Sequence, residues 1–256
     1  MQQLQKLLPI NLLHLDKKLP KEIEGVLIRW GTCRDIPYKN IIINKGKAIS
    51  LASSKGKARK VMEEAGVKTP ILTEPISFPV IARPEMHMKG KDFNVLMNNE
   101  ELNKFKLTHT NYYYSTFIDK DHEYRVFCAH GKVLHIVEKP RPIQNSYCWN
   151  MEEENPWQVV PRSEIEYEVP YQSLLAVEAI GLDFGAVDVI TKNNADGSEV
   201  YVLEINTAPQ LSAEYTLEKW SKYFQWVERN PEEKHWDFKS FKKTSSLFWK
   251  NFQLNS

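Results

Sequence analysis

The clearest hydrophobic pattern lies in the middle of the chain, where apolar and polar residues alternate as in half-buried β-strands. The His130-Gly131 pair between two of these stretches predicts a tight hairpin turn. A second hairpin is predicted from Phe184 to Asn206, around the polar turn N-N-A-D-G. The alternating stretches of the first region are residues 112–119, 123–129 and 132–139.

Other segments carry helix signals. Residues 53–67 begin with serine and reach Gly66, and residues 170–180 are followed by Gly181. Short apolar strands are predicted at 25–31, 40–44 and 79–84, and residues 144–168 are predicted to be mostly loop. A third helix, near 216–227, aligns Leu217, Trp220, Phe224 and Val227 on one stripe. Because helices mix with antiparallel hairpins, the sequence predicts an α+β fold.

The stretch V-Y-V-L-E-I-N-T-A-P, residues 200–209, has the composition of a buried strand, but Glu204 and Asn206 interrupt it. Being two residues apart, these side chains leave the same face of a strand. Burying an unpaired carboxylate costs several kcal/mol or more. A binding partner at this position is therefore one interpretation, and a solvent-facing strand of a one-sided sheet is the other.

Asp188 lies in the strand before the turn and adds a second carboxylate. If the hairpin is symmetric about Asp196, Asp188 pairs with Glu204; a register shifted by one residue would place Asp188 on the opposite face. With Asn206, these residues would form a set of oxygen donors that suits Mg²⁺ or Mn²⁺. A magnesium ion held this way usually keeps a phosphate ligand, which directs attention to the cations Lys55, Arg83, Lys139 and Arg141.

Composition narrows the class of protein. The chain has 256 residues, 42% of them hydrophobic and 26% charged, with a formal net charge of +1. These values are ordinary for a globular protein, and the small net charge argues against a nucleic-acid-binding function. Three cysteines at no metal-like spacing favour a reducing compartment. With no signal-peptide pattern and no apolar run of roughly 18 residues, we expect a cytoplasmic protein without a membrane span.

The order of these motifs resembles the ATP-grasp ligases, from about Gly25 to Leu217, and most closely the ribosomal-protein glutamate ligases and small stand-alone ligases of bacteria and their viruses. The resemblance rests on S-S-K-G-K-A-R-K-V-M-E-E-A-G-V-K-T-P, P-V-I-A-R-P, S-T-F-I-D-K-D-H-E-Y-R-V-F, G-A-V-D-V-I and V-L-E-I-N-T-A-P. It implies two α+β lobes with ATP between antiparallel sheets, after a short N-terminal α/β lobe. The implied units are residues 1–52, 53–215 with a hinge near 116–118, and a C-terminal helical segment at 216–256.

The resemblance also implies roles for single residues. The metal ligands, for two ions, would be Asp188, Glu204 and Asn206. The catalytic cations would be Arg125 and Lys139, near the phosphates and the acyl group. The nucleotide and its phosphates would contact Lys55, Arg83, Lys89, the hinge residues Thr116, Phe117 and Ile118, Glu123, Arg141 and Asn150. Ala186 stands where D-alanine ligases carry an arginine, so a D-alanine dipeptide is not the expected product.

The implied activity is an ATP-dependent ligase that joins a carboxylate to an amine through an acyl-phosphate. In such chemistry the protein mainly positions groups and stabilises charge on the transferred phosphoryl group. The substrates would be an amino acid, a peptide or a protein, since the short N-terminal lobe leaves room for a large acid. A kinase on the same fold and a non-catalytic binding protein are the alternatives.

The sequence does not assign a role to two further features. His87, in the polar loop after Arg83, is the one histidine singled out for a test. The C-terminal segment interleaves aromatic residues such as Trp236 and Trp249 with lysines. This pattern is typical either of a helix packed on the domain or of a surface that binds a partner.

Overall fold

The structure is a computed structural model and describes residues 4–8, 11, 13, 20–36, 38–85, 93–142, 149, 156–195, 197–211 and 213–230. The helices within these residues are α1 (Gly46–Ser53), α2 (Lys55–Glu64), α3 (Asn99–Thr108), α4 (Glu168–Ile180) and α5 (Glu214–Arg229). The strands are β1 (Leu27–Ile28), β2 (Ile42–Ile43), β3 (Val80–Pro84), β4 (Asn94–Leu96), β5 (Tyr112–Thr116), β6 (His122–Ala129), β7 (Lys132–Lys139), β8 (Gln158–Val159), β9 (Phe184–Asn194) and β10 (Gly197–Asn206).

The strands form two antiparallel sheets and one short parallel pair. The large sheet has the order β10-β9-β6-β7-β8, and the small sheet has the order β4-β3-β5. Strands β1 and β2 pair in parallel near the N-terminus. The mixture of helices with antiparallel sheets confirms the predicted α+β class.

Both faces of the large sheet carry apolar cores. One face packs against α1, α2 and α4, and its core includes Val126, Val189 and Val202. The opposite face packs against α5 through residues such as Phe184 and Trp220. A smaller core lies on the three-stranded sheet. The second face is apolar only over part of its length, and the remainder is charged.

The structure agrees with most predicted elements and differs at two helices. The His130-Gly131 turn is present, with φ values of +46° and +72° that a tight hairpin turn requires. Helix α1 was not predicted, and it ends at Ser53, where the predicted helix 53–67 begins. An eight-residue helix held mainly by packing carries little periodic signal in the sequence. Helix α3 was also missed, although the Asn98 side chain accepts a hydrogen bond from the Glu101 N–H, the signature of a capped helix start. The region predicted as loop contains the short strand β8.

The hairpin of β9 and β10 confirms the predicted pairing of Asp188 with Glu204, but not the reason given for it. At the turn, Gly197 pairs with Asn194, so the hairpin is not symmetric about Asp196. The register then shifts by one residue between Val202 and Glu204. A β-bulge at Leu203, not the turn, therefore places Glu204 opposite Asp188.

Candidate functional site

A group of charged side chains occupies one end of the sheet face that α5 covers at the other end. Register places Glu123 opposite Lys139, Arg125 opposite Asp188, and Asp188 opposite Glu204. Residues directly opposite each other in an antiparallel pair share a face. Side chains from β6, β7, β9 and β10 thus converge on one patch, which brings together the predicted catalytic residues and metal ligands.

Asp188 is the centre of this patch and is 5% exposed. Arg125 donates two hydrogen bonds to it, from Nε to Oδ1 at 2.7 Å and from Nη2 to Oδ2 at 2.8 Å. Lys139 Nζ lies 2.9 Å from Oδ2. Burial alone would raise the pKa of Asp188, but the two cations outweigh it and hold that pKa far below its usual value.

Glu123 gives the patch a second buried carboxylate. Its Oε1 accepts a hydrogen bond from Lys139 Nζ at 2.5 Å, and its Oε2 pairs with Lys120. Burial would lower the pKa of Lys139, but Asp188 and then Glu123 oppose it, and the net shift is upward. Lys139 is therefore held as a cation between two carboxylates, although it is only 4% exposed.

Two tryptophans cover the cations of the patch. The Trp157 ring centre lies 4.5 Å from the Arg125 guanidinium carbon and 5.3 Å from Lys139 Nζ. The Trp149 ring centre lies 4.7 Å from Lys120 Nζ. Cation–π contacts of this kind are stronger when the cation is desolvated. Neither tryptophan was singled out in the sequence, where both fall in a polar region without a motif.

The oxygen donors fit a divalent cation bound with a phosphate. The described contacts to Asp188 use both lone pairs of Oδ2 but only one of Oδ1, which leaves one coordination position on Oδ1. The Nδ2 atom of Asn206 is buried without a hydrogen-bond partner, a donor that a phosphate oxygen would satisfy, and the Oδ1 atom of the same amide is the one that would bind a cation. Among the described residues, no group of three or more His, Cys, Asp or Glu side chains forms a cage for a metal. A site with few protein ligands is what Mg²⁺ prefers when phosphates and waters complete its coordination.

One cation from outside the large sheet pairs with Glu204 of this patch, and a second predicted cation lies on the small sheet. Lys55 Nζ, at the start of α2, lies 3.4 Å from Glu204 Oε2. Arg83 lies on β3 of the small sheet, and its Nε is buried without a hydrogen-bond partner. A buried donor without a partner is costly, which is consistent with a site that receives an anion. Lys55 and Arg83 are the two phosphate ligands expected from the resemblance.

Glu85 and Arg59 also border this region and were missed. The Glu85 carboxylate accepts hydrogen bonds from Gly56 N at 2.9 Å and Ser54 Oγ at 3.2 Å, at the N-terminus of α2. Arg59 crosses from α2 to the carbonyl of Leu203 at 3.2 Å. No motif marks either residue, because their contacts join segments far apart in the chain.

The remaining predicted residues lie apart from the charged patch or outside the described residues. The N–H groups of Thr116 and Phe117 already donate to the carbonyls of Pro70 and Pro79, so these two donors are committed within the protein. Ile118 directly follows them. Arg141 is exposed, two residues beyond the end of β7. Lys89, Asn150, His87 and the C-terminal aromatic segment lie outside the described residues.

The architecture is similar to that of several solved structures. No protein-family model and no curated protein sequence matches the chain. Three solved structures match with a TM-score of 0.52 each: D-alanine–D-alanine ligase from Bacillus anthracis complexed with ATP, N5-carboxyaminoimidazole synthetase from Staphylococcus aureus complexed with ADP, and the ATP-grasp ligase PsnB complexed with a minimal precursor.

These matches are similarities of structure and not of sequence. Sequence identities are 18%, 17% and 15%, over 74%, 70% and 73% of this chain. The matched regions span 66%, 51% and 64% of the three solved chains, less than two thirds of each. The likeness is one of fold, and the chain has the ATP-grasp fold.

In this chain, no described helix combines the length and hydrophobicity needed to cross a membrane.

Proposed function

We propose that the protein is an ATP-dependent ligase that joins a carboxylate to an amine. The observation that carries this proposal is the placement of Asp188, Glu204 and Asn206 on one sheet face beside Arg125 and Lys139. The fold supports the same kind of reaction, since D-alanine–D-alanine ligase and PsnB, which share it, are named ligases.

In the proposed site, Asp188 Oδ1, Glu204 and Asn206 would hold Mg²⁺, which would neutralise negative charge on the phosphates. Lys55 and Arg83 would contact the phosphates from α2 and β3. The segment 116–118 would contact the nucleotide base through backbone groups. Glu123 would act indirectly, by holding Lys139 in place.

The reaction would proceed in two transfers. A carboxylate oxygen of the acid attacks the γ-phosphorus of ATP, the bond to the bridging oxygen breaks, and ADP leaves with its electron pair. The amine nitrogen then attacks the acyl carbon, phosphate departs, and the nitrogen loses a proton. Arg125 would stabilise the negative charge on the acid and on the transferred phosphoryl group, as an arginine fork does for planar oxyanions.

A thermal-shift experiment tests the nucleotide site. At 100 times Kd, binding stabilises the native state by about 2.7 kcal/mol, which should raise the melting midpoint by roughly 5–11 °C at this size. We expect this rise with Mg²⁺ and a non-hydrolysable ATP analogue, and we expect Glu204→Ala to lose it. Glu204→Gln, which keeps the shape but loses the charge, is the matched variant.

The chemistry needs its own measurement. A ligase releases ADP and phosphate over repeated turnovers only when both an acid and an amine are present, whereas a kinase forms a stable phosphate ester without an amine. Amine-dependent ADP release would support the ligase. A metal-dependent thermal shift with no ADP release from any acid–amine pair of a peptide and amino-acid panel would favour the non-catalytic alternative.

A further inference from the structure

The bulge in β10 decides which way the proposed metal ligands face. Val202 pairs with Val189 and Glu204 pairs with Asp188, so Leu203 is an extra residue without a partner of its own in β9. An extra residue reverses the facing of every side chain that follows it. Burial shows this reversal, because Val200, Val202 and then Ile205 all lie in the core beneath α4.

If Leu203 were present but paired regularly, without a bulge, Glu204 and Asn206 would face the same way as Val202. Both polar side chains would then point into the apolar core, and Asp188 would face Leu203 instead. Burying a carboxylate there would be costly. The metal-ligand set of the proposed site therefore depends on the local geometry of Leu203.

Arg59 is the side chain that binds this bulge. Its Nε donates to the carbonyl oxygen of Leu203 at 3.2 Å, across 144 residues of sequence. Its guanidinium carbon lies 4.8 Å from the ring centre of Tyr113, on β5 of the small sheet. The side chain is only 7% exposed and its Nη1 has no hydrogen-bond partner. A buried arginine with an unpaired donor costs stability, so packing α2 on the sheet is a weak reason for its presence.

We propose that Arg59 is a positioning residue: by holding the Leu203 bulge, it keeps Glu204 beside Asp188 in the geometry that binds the metal. The ring of Tyr113 fixes the plane of the guanidinium, so the small sheet takes part in placing a ligand of the large sheet. This inference rests on the proposed function, because it assigns Arg59 an effect on a metal ligand.

Metal-dependent nucleotide binding tests the role of Arg59. The probe is Mn²⁺ with a non-hydrolysable ATP analogue, measured by calorimetry and by the electron paramagnetic resonance of bound Mn²⁺. We expect Arg59→Met, which keeps the packing on Tyr113, to weaken Mn²⁺–nucleotide binding at least tenfold while nucleotide binding without metal changes less than twofold. Binding that survives in the folded Arg59→Met protein would overturn the inference alone. No Mn²⁺-dependent binding in the wild type would reject the proposed function and this inference with it.

Deletion of Leu203 separates positioning from direct contact with the nucleotide. The deletion restores regular pairing with Glu204 still opposite Asp188, so Arg59→Met has no bulge to release and should change binding less than twofold in this background. The same tenfold loss in both backgrounds would show that Arg59 contacts the ligand instead. If the deletion variant does not fold, Tyr113→Leu and Tyr113→Phe decide: only the leucine, which removes the ring, should weaken Mn²⁺–nucleotide binding, and equal binding by both would overturn the inference.

Discussion

Two halves of one sheet face have opposite character, although the same strands build both. In the aromatic half, Phe127, His135 and Phe184 lie beneath Trp220 of α5. The charged half contains Arg125, Lys139 and Asp188. They lie two to four residues from the aromatic residues on the same strands β6, β7 and β9. The aromatic half is covered by a helix, whereas the charged half is covered by Trp157 and by cations that approach from other elements.

The difference between the aromatic half and the charged half shows how one sheet can combine stability with a polar site. In the aromatic half, buried apolar area supplies favourable free energy without any need for pairing. In the charged half, every carboxylate of the sheet's centre is matched by a cation, because an unmatched buried charge would be prohibitive. A buried ion pair is weak evidence for stability, so we interpret the charged half as a functional arrangement supported by the aromatic half.

The largest effect is expected from Trp220→Ala in the aromatic half. The side chain is 0% exposed and its ring centre lies 5.2 Å from that of Phe184. Loss of this contact should lower the free energy of unfolding by about 4 kcal/mol, measured by urea denaturation. Under conditions where the variant is folded, its Mg²⁺–nucleotide affinity should stay near that of the wild type. A folded variant that no longer binds nucleotide would show that the two halves are coupled.

The next effect is expected from Arg125→Leu in the charged half, which leaves Asp188 with Lys139 alone. The free energy of unfolding should fall by about 3 kcal/mol, because a buried charge loses its main partner. The matched variant Arg125→Leu/Asp188→Leu removes both charges and should recover most of this stability in the same urea assay. A double variant as unstable as the single one would mean that the ion pair itself stabilises the fold.

The smallest effect is expected from the titration of His135 in the aromatic half. Burial and then the nearby Lys219 lower the pKa of His135 to about 4, and its Nε2 lies 3.1 Å from Thr216 Oγ1. The unfolded chain takes up this proton near pH 6.5, so stability should be full above that pH and be lost as the pH falls towards 4. Between pH 7 and pH 5 the loss should be about 2 kcal/mol. The His135→Gln variant, which cannot titrate, should show an unfolding free energy that falls less over this range.

The strands of the candidate site were largely predictable, because alternation and turn residues are local signals. Strands β6 and β7 follow from the sequence, whereas the pairing of Asp188 with Glu204 was expected only for a hairpin symmetric about Asp196, which the structure does not have. The bulge was not predicted, although its signal is present: the apolar positions change from even numbers at Val200 and Val202 to an odd number at Ile205. Trp157, Glu85 and Arg59 carried no local signal, because each acts through a contact with a distant segment.

The sequence by itself determined the α+β class, most of the hairpins and helices, and the presence of oxygen donors beside cations. These features depend on residue type and spacing within a few turns of chain. Only the tertiary structure decided that Arg125 and Lys139 both bind Asp188, and that Glu204 turns towards them. The reason is that periodicity within a strand determines which of its side chains share a face of the sheet. Which side chains on other strands they contact depends on the strand order and on the single bulge that Arg59 holds from another element.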